Sequence, residues 1–206
     1  MTDEIVLARL EEISTITTYR KGQLLQKASK VQANAAFLIK GVARAFYLSG
    51  KGEEITDCFL CQFGYPVMTA DVTQPSFMSC EAVTDLEVLE IPLQDMLELA
   101  SENTQVLWAY NQMLHTALLF HWQIKSSRFC FGAKERYLWF KKTFPGVESV
   151  AKGVHVASFL GITPETLSRI RKIQNEIGVP PIMIDAEYNR SSDEQLVAMY
   201  SGFFFR

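Results

Sequence analysis

The sequence predicts an α+β protein: a strand-rich N-terminal half, one long helix, and a C-terminal segment built on two short helices. Three observations predict it. Residues 17–92 alternate short apolar runs with turn signals, as in an all-β sandwich or barrel. Residues 102–127 carry a heptad repeat of apolar residues. Residues 154–173 read VHVASFLGITPETLSRIRKI, two helical stretches split by a glycine.

At 206 residues, with 48% apolar and 21% charged residues, the chain has the composition of a folded protein with a sizeable core. No apolar run reaches the roughly 18–20 residues of a membrane span. The start, MTDEIVLARLEEI, is acidic and amphipathic, so no export signal is expected. Four cysteines without such a signal point to free thiols in a reducing cytoplasm.

The elements follow in order. Residues 3–13 form an amphipathic helix with Ile5, Leu10 and Ile13 on its apolar side. Strands are expected in AFLIKG (36–41), VARAFYL (42–48), ITDCFLCQF (55–63) and LEVLEIP (86–92). SGKGEE (49–54) lacks the spacing of a phosphate loop and reads as a hairpin turn. Pro92 ends the last strand, because it has no N–H for a ladder. Residues 93–100 form a short helix. In the long helix, Val106, Tyr110, Met113, Ala117, Phe120 and Ile124 make a seam assigned to a homodimer interface. A second apolar edge runs through Leu107, Leu114 and Leu118. Residues 133–144 form a further helix, stopped by Pro145-Gly146. The expected organisation is 1–100, a sensor-like β domain; 101–131, the dimerisation helix; and 132–206, a helix-turn-helix domain with an atypical tail.

Charge is unevenly distributed. Residues 1–124 hold 8 Lys/Arg and 15 Asp/Glu, whereas residues 125–175 hold 10 and 3, a net +7. A basic block in an acidic chain is the footprint of a polyanion partner. Within it, Gly161 suits the positive φ of a tight interhelical turn. Thr163 is placed to cap the second helix and Pro164 occupies its first position. Glu165 sits in the first turn, and Ile162 and Leu167 form a hydrophobic staple. Leu167 and Ile170 face inward. Glu165, Ser168, Arg169 and Lys172 face outward, with the chemistry to read guanine and cytosine edges in a major groove. Thr163, Thr166, Arg171 and Lys172 are assigned to phosphates.

These residues resemble the Crp/Fnr superfamily of bacterial transcription regulators. VASFLGITPETLSRIRK (156–172) and AKERYLWF (133–140) carry the resemblance, with KGQLLQ (21–26) and LIKGVARAFYL (38–48) adding to it. It implies a double-stranded β-helix (jelly-roll) of the cyclic-nucleotide-binding type, a long dimer helix and a C-terminal helix-turn-helix. It also implies a double-stranded DNA partner, a second copy of the chain, and RNA polymerase as a further partner. Glu165 and Arg169 fall on two base-reading positions of the family's Arg-Glu-Thr-x-x-x-Arg pattern, and Pro164 replaces the first Arg. The family's cyclic-nucleotide cassette needs an Arg that would fall near Ser76, in TQPSFMSCEA. No Lys or Arg occurs between Lys51 and Lys125, while eleven Asp/Glu do. A buried phosphate needs a cation or several donors, so cyclic AMP is not expected to bind in the family manner. An unidentified small-molecule effector, or none, is expected instead.

No metal or other cofactor is expected. Cys58 and Cys61 are three apart in an expected strand and point to opposite faces. His115, His121 and His155 are dispersed, and no nucleophile–base pattern suggests an enzyme. In the tail, Ser191 or Ser192 is placed to cap a short helix through Met199, and Phe203–Phe205 close the sequence. Two functions follow. One is a sequence-specific, homodimeric regulator reading an inverted repeat. The other is a ligand-binding or protein-interaction module whose helix-turn-helix no longer reads DNA.

Overall fold

The computed structural model describes residues 3–67 and 74–176. The tail expectations at 191–205 lie outside the described residues. The order is α1 (Asp3–Ile13), β1 (Thr15–Tyr19), β2 (Leu24–Gln26), β3 (Asn34–Lys40), β4 (Ala43–Leu48), β5 (Glu54–Leu60), β6 (Pro66–Val67), β7 (Ser79–Ala82) and β8 (Leu86–Pro92). Then come α2 (Leu93–Glu102), α3 (Thr104–Cys130), α4 (Ala133–Thr143), α5 (Val147–Val150), α6 (Gly153–Leu160) and α7 (Pro164–Glu176).

The strands make two four-stranded antiparallel sheets, ordered β1-β8-β3-β6 and β2-β7-β4-β5. Small and branched residues on their inner faces, among them Ala36, Leu38, Ala82, Leu86 and Val88, form the core between them. The β4–β5 hairpin turns through SGKGEE as expected: Ser49 N–H donates to Glu53 O, and Ser49 Oγ accepts from the Lys51 and Glu53 amides. Gly41 turns β3 into β4 with φ +104°, and a Cβ there would lie 2.4 Å from Asp85 O. No side chain fits that position.

In α1 the buried residues are Val6 and Leu10, while Ile5 faces solvent. Val6 and Leu10 join Phe37, Leu89 and Ile91 on the outer face of one sheet, and α2 packs there through Met96 and Leu99. Asn103 starts α3 by accepting from the Gln105 and Val106 amides at 2.9 and 3.2 Å. At 27 residues, α3 is about 40 Å long. The other cluster joins the β-sheets to the C-terminal helices. Phe59 of β5 meets Phe140, Phe144 and Phe159 at ring separations of 5.9, 6.1 and 5.6 Å, and Trp139 stacks on Phe159.

Candidate functional site

α7 is built from its own local sequence. Thr163 Oγ accepts from the Thr166 amide at 3.2 Å, and the Leu167 amide donates to Thr163 O. Pro164 is the first residue of the helix. Gly161 has φ +63° and its N–H closes α6. Leu167 and Ile170 are buried against α6, and the Ile162 side chain packs against the same core. The opposite face presents Glu165, Ser168, Arg169 and Lys172 to solvent, with Thr163 at the start. The Glu165 carboxyl is held below the ordinary carboxylate range by its own backbone N–H and then by the Thr163 hydroxyl. Thr166 is half-buried. Arg171 is not available in the same way: its Nε donates to Glu148 Oε1 at 2.9 Å, across to α5.

Two other arginines of the basic block are also engaged internally. Arg128 donates to the Thr56 and Phe159 carbonyls, and Arg136 to those of Leu160, Phe131 and Arg128. They satisfy carbonyls where α3, α4 and α6 meet β5. The +7 count therefore overstates the charge presented to a partner.

The seam assigned to a dimer from the heptads is largely covered by the chain itself. Val106, Met113 and Ile124 are buried within this same chain, and Tyr110 and Phe120 pack against the same two clusters. Ala117 lines a cavity against the β-sheets. That stripe packs α3 on its own β-sheets, and Val106, Met113 and Ile124 have almost no surface left to offer a second subunit. The opposite face is exposed. Trp108, His115, Trp122 and Phe129 recur every seven residues along it, with Leu107 and Leu118 beside them. Leu118, Trp122 and Phe129 are 50%, 58% and 79% exposed.

Between β2, β5, β7 and the middle of α3 lies a cavity of about 430 Å³. Its walls are mainly apolar, including Leu60, Val67, Phe77, Met113, Leu114 and Phe120. Ser76, the position considered for an anion-binding Arg, lines it, but its hydroxyl is engaged with the Met78 backbone. No Lys or Arg lines it among the described residues. Asp57 enters it from β5 through a bulge. Ala45 pairs with Cys58 and Phe46 with Thr56, so Asp57 is the extra residue in the ladder. Its Oδ2 is shielded from solvent without a hydrogen bond and lies 3.7 Å from His121 Nδ1.

Sequence reasoning missed a polar cluster on the other side of β5. Arg44 is 0% exposed. Its Nε donates to Glu81 Oε1 at 2.8 Å, its Nη1 to Thr56 Oγ at 3.2 Å, and its Nη2 to Glu54. The guanidinium lies over the Phe46 ring at 4.3 Å. His155 of α6 approaches Glu54 and Glu81 at 3.6 and 3.9 Å. Burial, then Arg44, lowers the His155 pKa, and the Arg44 hydrogen bond lowers that of Glu54. Glu54, Glu81 and His155 are close enough to share a cation. The Arg44 guanidinium already occupies both carboxylates and places a fixed positive charge where a cation would sit, so these residues do not suit a metal. Nearby, Ser158 Oγ accepts from the Thr56 amide at 3.0 Å and so links α6 to β5.

The thiols are separate. Burial pushes Cys80 up to about 12 and Cys61 to about 11, and raises Cys58 well above its ordinary value. Cys61 lies past the end of β5 and not within the strand as expected.

No protein-family model matches the chain, and no curated protein matches it in sequence. Solved structures do. FixK2 from Bradyrhizobium japonicum superposes with a TM-score of 0.71 at 16% identity, covering 89% of this chain and 97% of FixK2. A protein described as a Crp/Fnr-family transcriptional regulator of Eubacterium rectale gives 0.68 at 14%, covering 92% and 94%. CLP, the c-di-GMP-responsive global regulator of Xanthomonas campestris, gives 0.65 at 13%, covering 86% and 96%. No helix among the described residues is long and apolar enough to cross a membrane. The chain shares with these structures an antiparallel β-domain and its attached helices.

Proposed function

We propose that this chain is a cytoplasmic, homodimeric, sequence-specific DNA-binding regulator of transcription. The observation that carries the reading is the exposed face of α7. Glu165, Ser168, Arg169 and Lys172 are presented together on a helix that is capped at Thr163 and anchored by Leu167 and Ile170. In this reading α6 and α7 are a helix-turn-helix and α7 enters the major groove. Arg169 and Glu165 read bases, while Thr163, Thr166 and Lys172 hold phosphates. Arg171 serves the fold through Glu148 unless that pair opens on DNA. Two copies associate through the Trp108, Leu118, Trp122 and Phe129 face of α3, an apolar heptad stripe that water covers in the single chain. Two α7 helices then meet successive major grooves, so the site is an inverted repeat with half-sites about 10 base pairs apart.

The cavity is the effector site in this reading. Its apolar lining, the absence of a Lys or Arg from that lining among the described residues, and the Asp57 carboxylate argue against cyclic AMP held in the manner of the family. Tight calorimetric binding of cyclic AMP would refute that point.

Selection from a random duplex library at moderate salt, without ligand, tests the reading. An enriched inverted repeat is expected. Arg169→Ala should cost roughly 1–3 kcal/mol of binding and relax one base position. Absence of binding even at low salt would overturn the reading. It would favour the second function, an interaction module, which the internal engagement of Arg128, Arg136 and Arg171 supports. Loss of Trp122→Glu dimers to monomers in sedimentation tests the interface.

A further inference from the structure

We propose that the cavity between β5 and α3 takes a cationic ligand: an organic amine with an apolar, ring-sized body, its ammonium group seated on Asp57. Three features converge. First, the bulge opposite Ala45 and Phe46 turns Asp57 inward, beside Cys58. Bulges re-aim side chains in this way, and in a regular ladder Asp57 would alternate with its neighbours. Second, Asp57 Oδ2 is shielded from water without a hydrogen bond, while the side chain as a whole is 24% exposed and its carboxylate also meets the Cys58 thiol. A shielded carboxylate oxygen without a donor is costly, and an incoming N–H donor removes that cost. Its nearest cation-forming neighbour, His121, is 3.7 Å away, beyond hydrogen-bond reach. Third, the other walls suit an apolar body. Leu60, Val67, Phe77, Met113, Leu114 and Phe120 surround about 430 Å³, within the range of small-molecule sites.

The same features select against anions. No Lys or Arg occurs from residue 52 to residue 124, so the walls offer a ligand phosphate or carboxylate no cation of that kind. Asp57 would repel either one. An ammonium group on an apolar ring reverses both terms: it pairs with the carboxylate, and its ring displaces water from the apolar wall. The proposal rests on the regulator reading only for the ligand's role as effector. Binding is measured without DNA, so failure here leaves the DNA-selection result standing, and the reverse also holds.

Two indole probes of similar size and opposite charge test it: tryptamine and indole-3-acetate, titrated calorimetrically into the full chain, with saturation-transfer NMR as a second readout. Tryptamine should bind at least about tenfold tighter than indole-3-acetate, as expected for a charge-assisted hydrogen bond in a shielded site. Asp57→Asn, nearly the same shape, should bring the two probes to within about threefold of each other. Ala117→Phe should fill the cavity from α3 and abolish binding of tryptamine, with the melting curve checking that each variant is folded. The proposal is overturned if tryptamine does not bind at millimolar concentration. Equal or tighter binding of indole-3-acetate would also overturn it, as would tryptamine affinity unchanged in folded Asp57→Asn. If Asp57→Asn does not fold, Ala117→Phe and the two-probe comparison in the parent chain still decide it.

Discussion

Replacing Arg44 with Met should reveal how much the buried cluster contributes. Arg44 has no exposure, and Met keeps much of its aliphatic volume while removing every N–H donor and the guanidinium over Phe46. Glu81 then loses two contacts, at 2.8 Å to Nε and 2.7 Å to Nη2, and Thr56 Oγ loses one. Breaking a buried ion pair costs about 3–5 kcal/mol, because an uncompensated charge is left behind. Glu54 is 42% exposed and can rehydrate, so most of the cost falls on Glu81 and the lower end, about 3 kcal/mol, applies. For a chain of this size that is a fall in Tm of about 6–12 °C. Urea unfolding followed by circular dichroism at neutral pH measures it. The second arm is Arg44→Met with Glu81→Gln, which leaves no buried charge and should recover more than half the loss. A single variant within about 0.5 kcal/mol of the parent would refute the reasoning, as would a double variant as unstable as the two singles added together. Acid behaviour gives an independent check. The Glu54 pKa is lowered by Arg44, so the stability it contributes is present above the ordinary value of 4.5. That contribution is lost as pH falls through the lower folded value, and in Arg44→Met this acid-sensitive part should vanish.

His155 behaves with the opposite charge. Burial first, then Arg44 and more weakly Lys152, lowers its pKa against the pull of Glu81 and Glu54. The unfolded chain therefore takes up the proton first, and stability should decline as pH falls below 6.5; His155→Gln should flatten that slope in denaturation measured at several pH values. Two glycines should separate backbone strain from collision. Gly161→Ala meets open space at φ +63° and should cost about 1 kcal/mol, whereas Gly41→Ala meets Asp85 O at 2.4 Å and should not yield a folded chain in the same melting assay. With a disulfide reagent near pH 8, the exposed Cys130 should react first, and Cys58 and Cys80 should react only on unfolding. Rapid modification of Cys58 and Cys80 in the native state would contradict their burial.

Local chemistry was legible in the sequence and long-range placement was not. The start of α7 follows from Thr163, Pro164 and Gly161, because a cap, a fixed φ and a left-handed turn each depend on neighbours within four residues. The strands β3, β4, β5 and β8 could be read from their apolar runs, while two-residue β6 is set by pairing with Ala36 and Phe37 alone. The length of α3 was legible, but not which side faces inward. It is apolar nearly all round, so periodicity gives two stripes and does not say which one the chain covers itself. Asp57 was hidden by the bulge, which breaks the alternation on which strand reading depends. Arg44 was hidden by distance: nothing in VARAFYL (42–48) marks its third residue as buried, and its partner Glu81 lies 37 positions away.

β5 is a wall with a room on either side. Asp57 and Cys58 look into the cavity, while Thr56 and Phe59 hold α6 and the aromatic cluster behind it. Neighbouring residues of one strand share a backbone, so a guest that shifts Asp57 must also tug on Thr56, and through the Ser158 hydroxyl on the helix against which α7 rests. Occupancy of the cavity and orientation of α7 are in this sense separated by a single peptide unit.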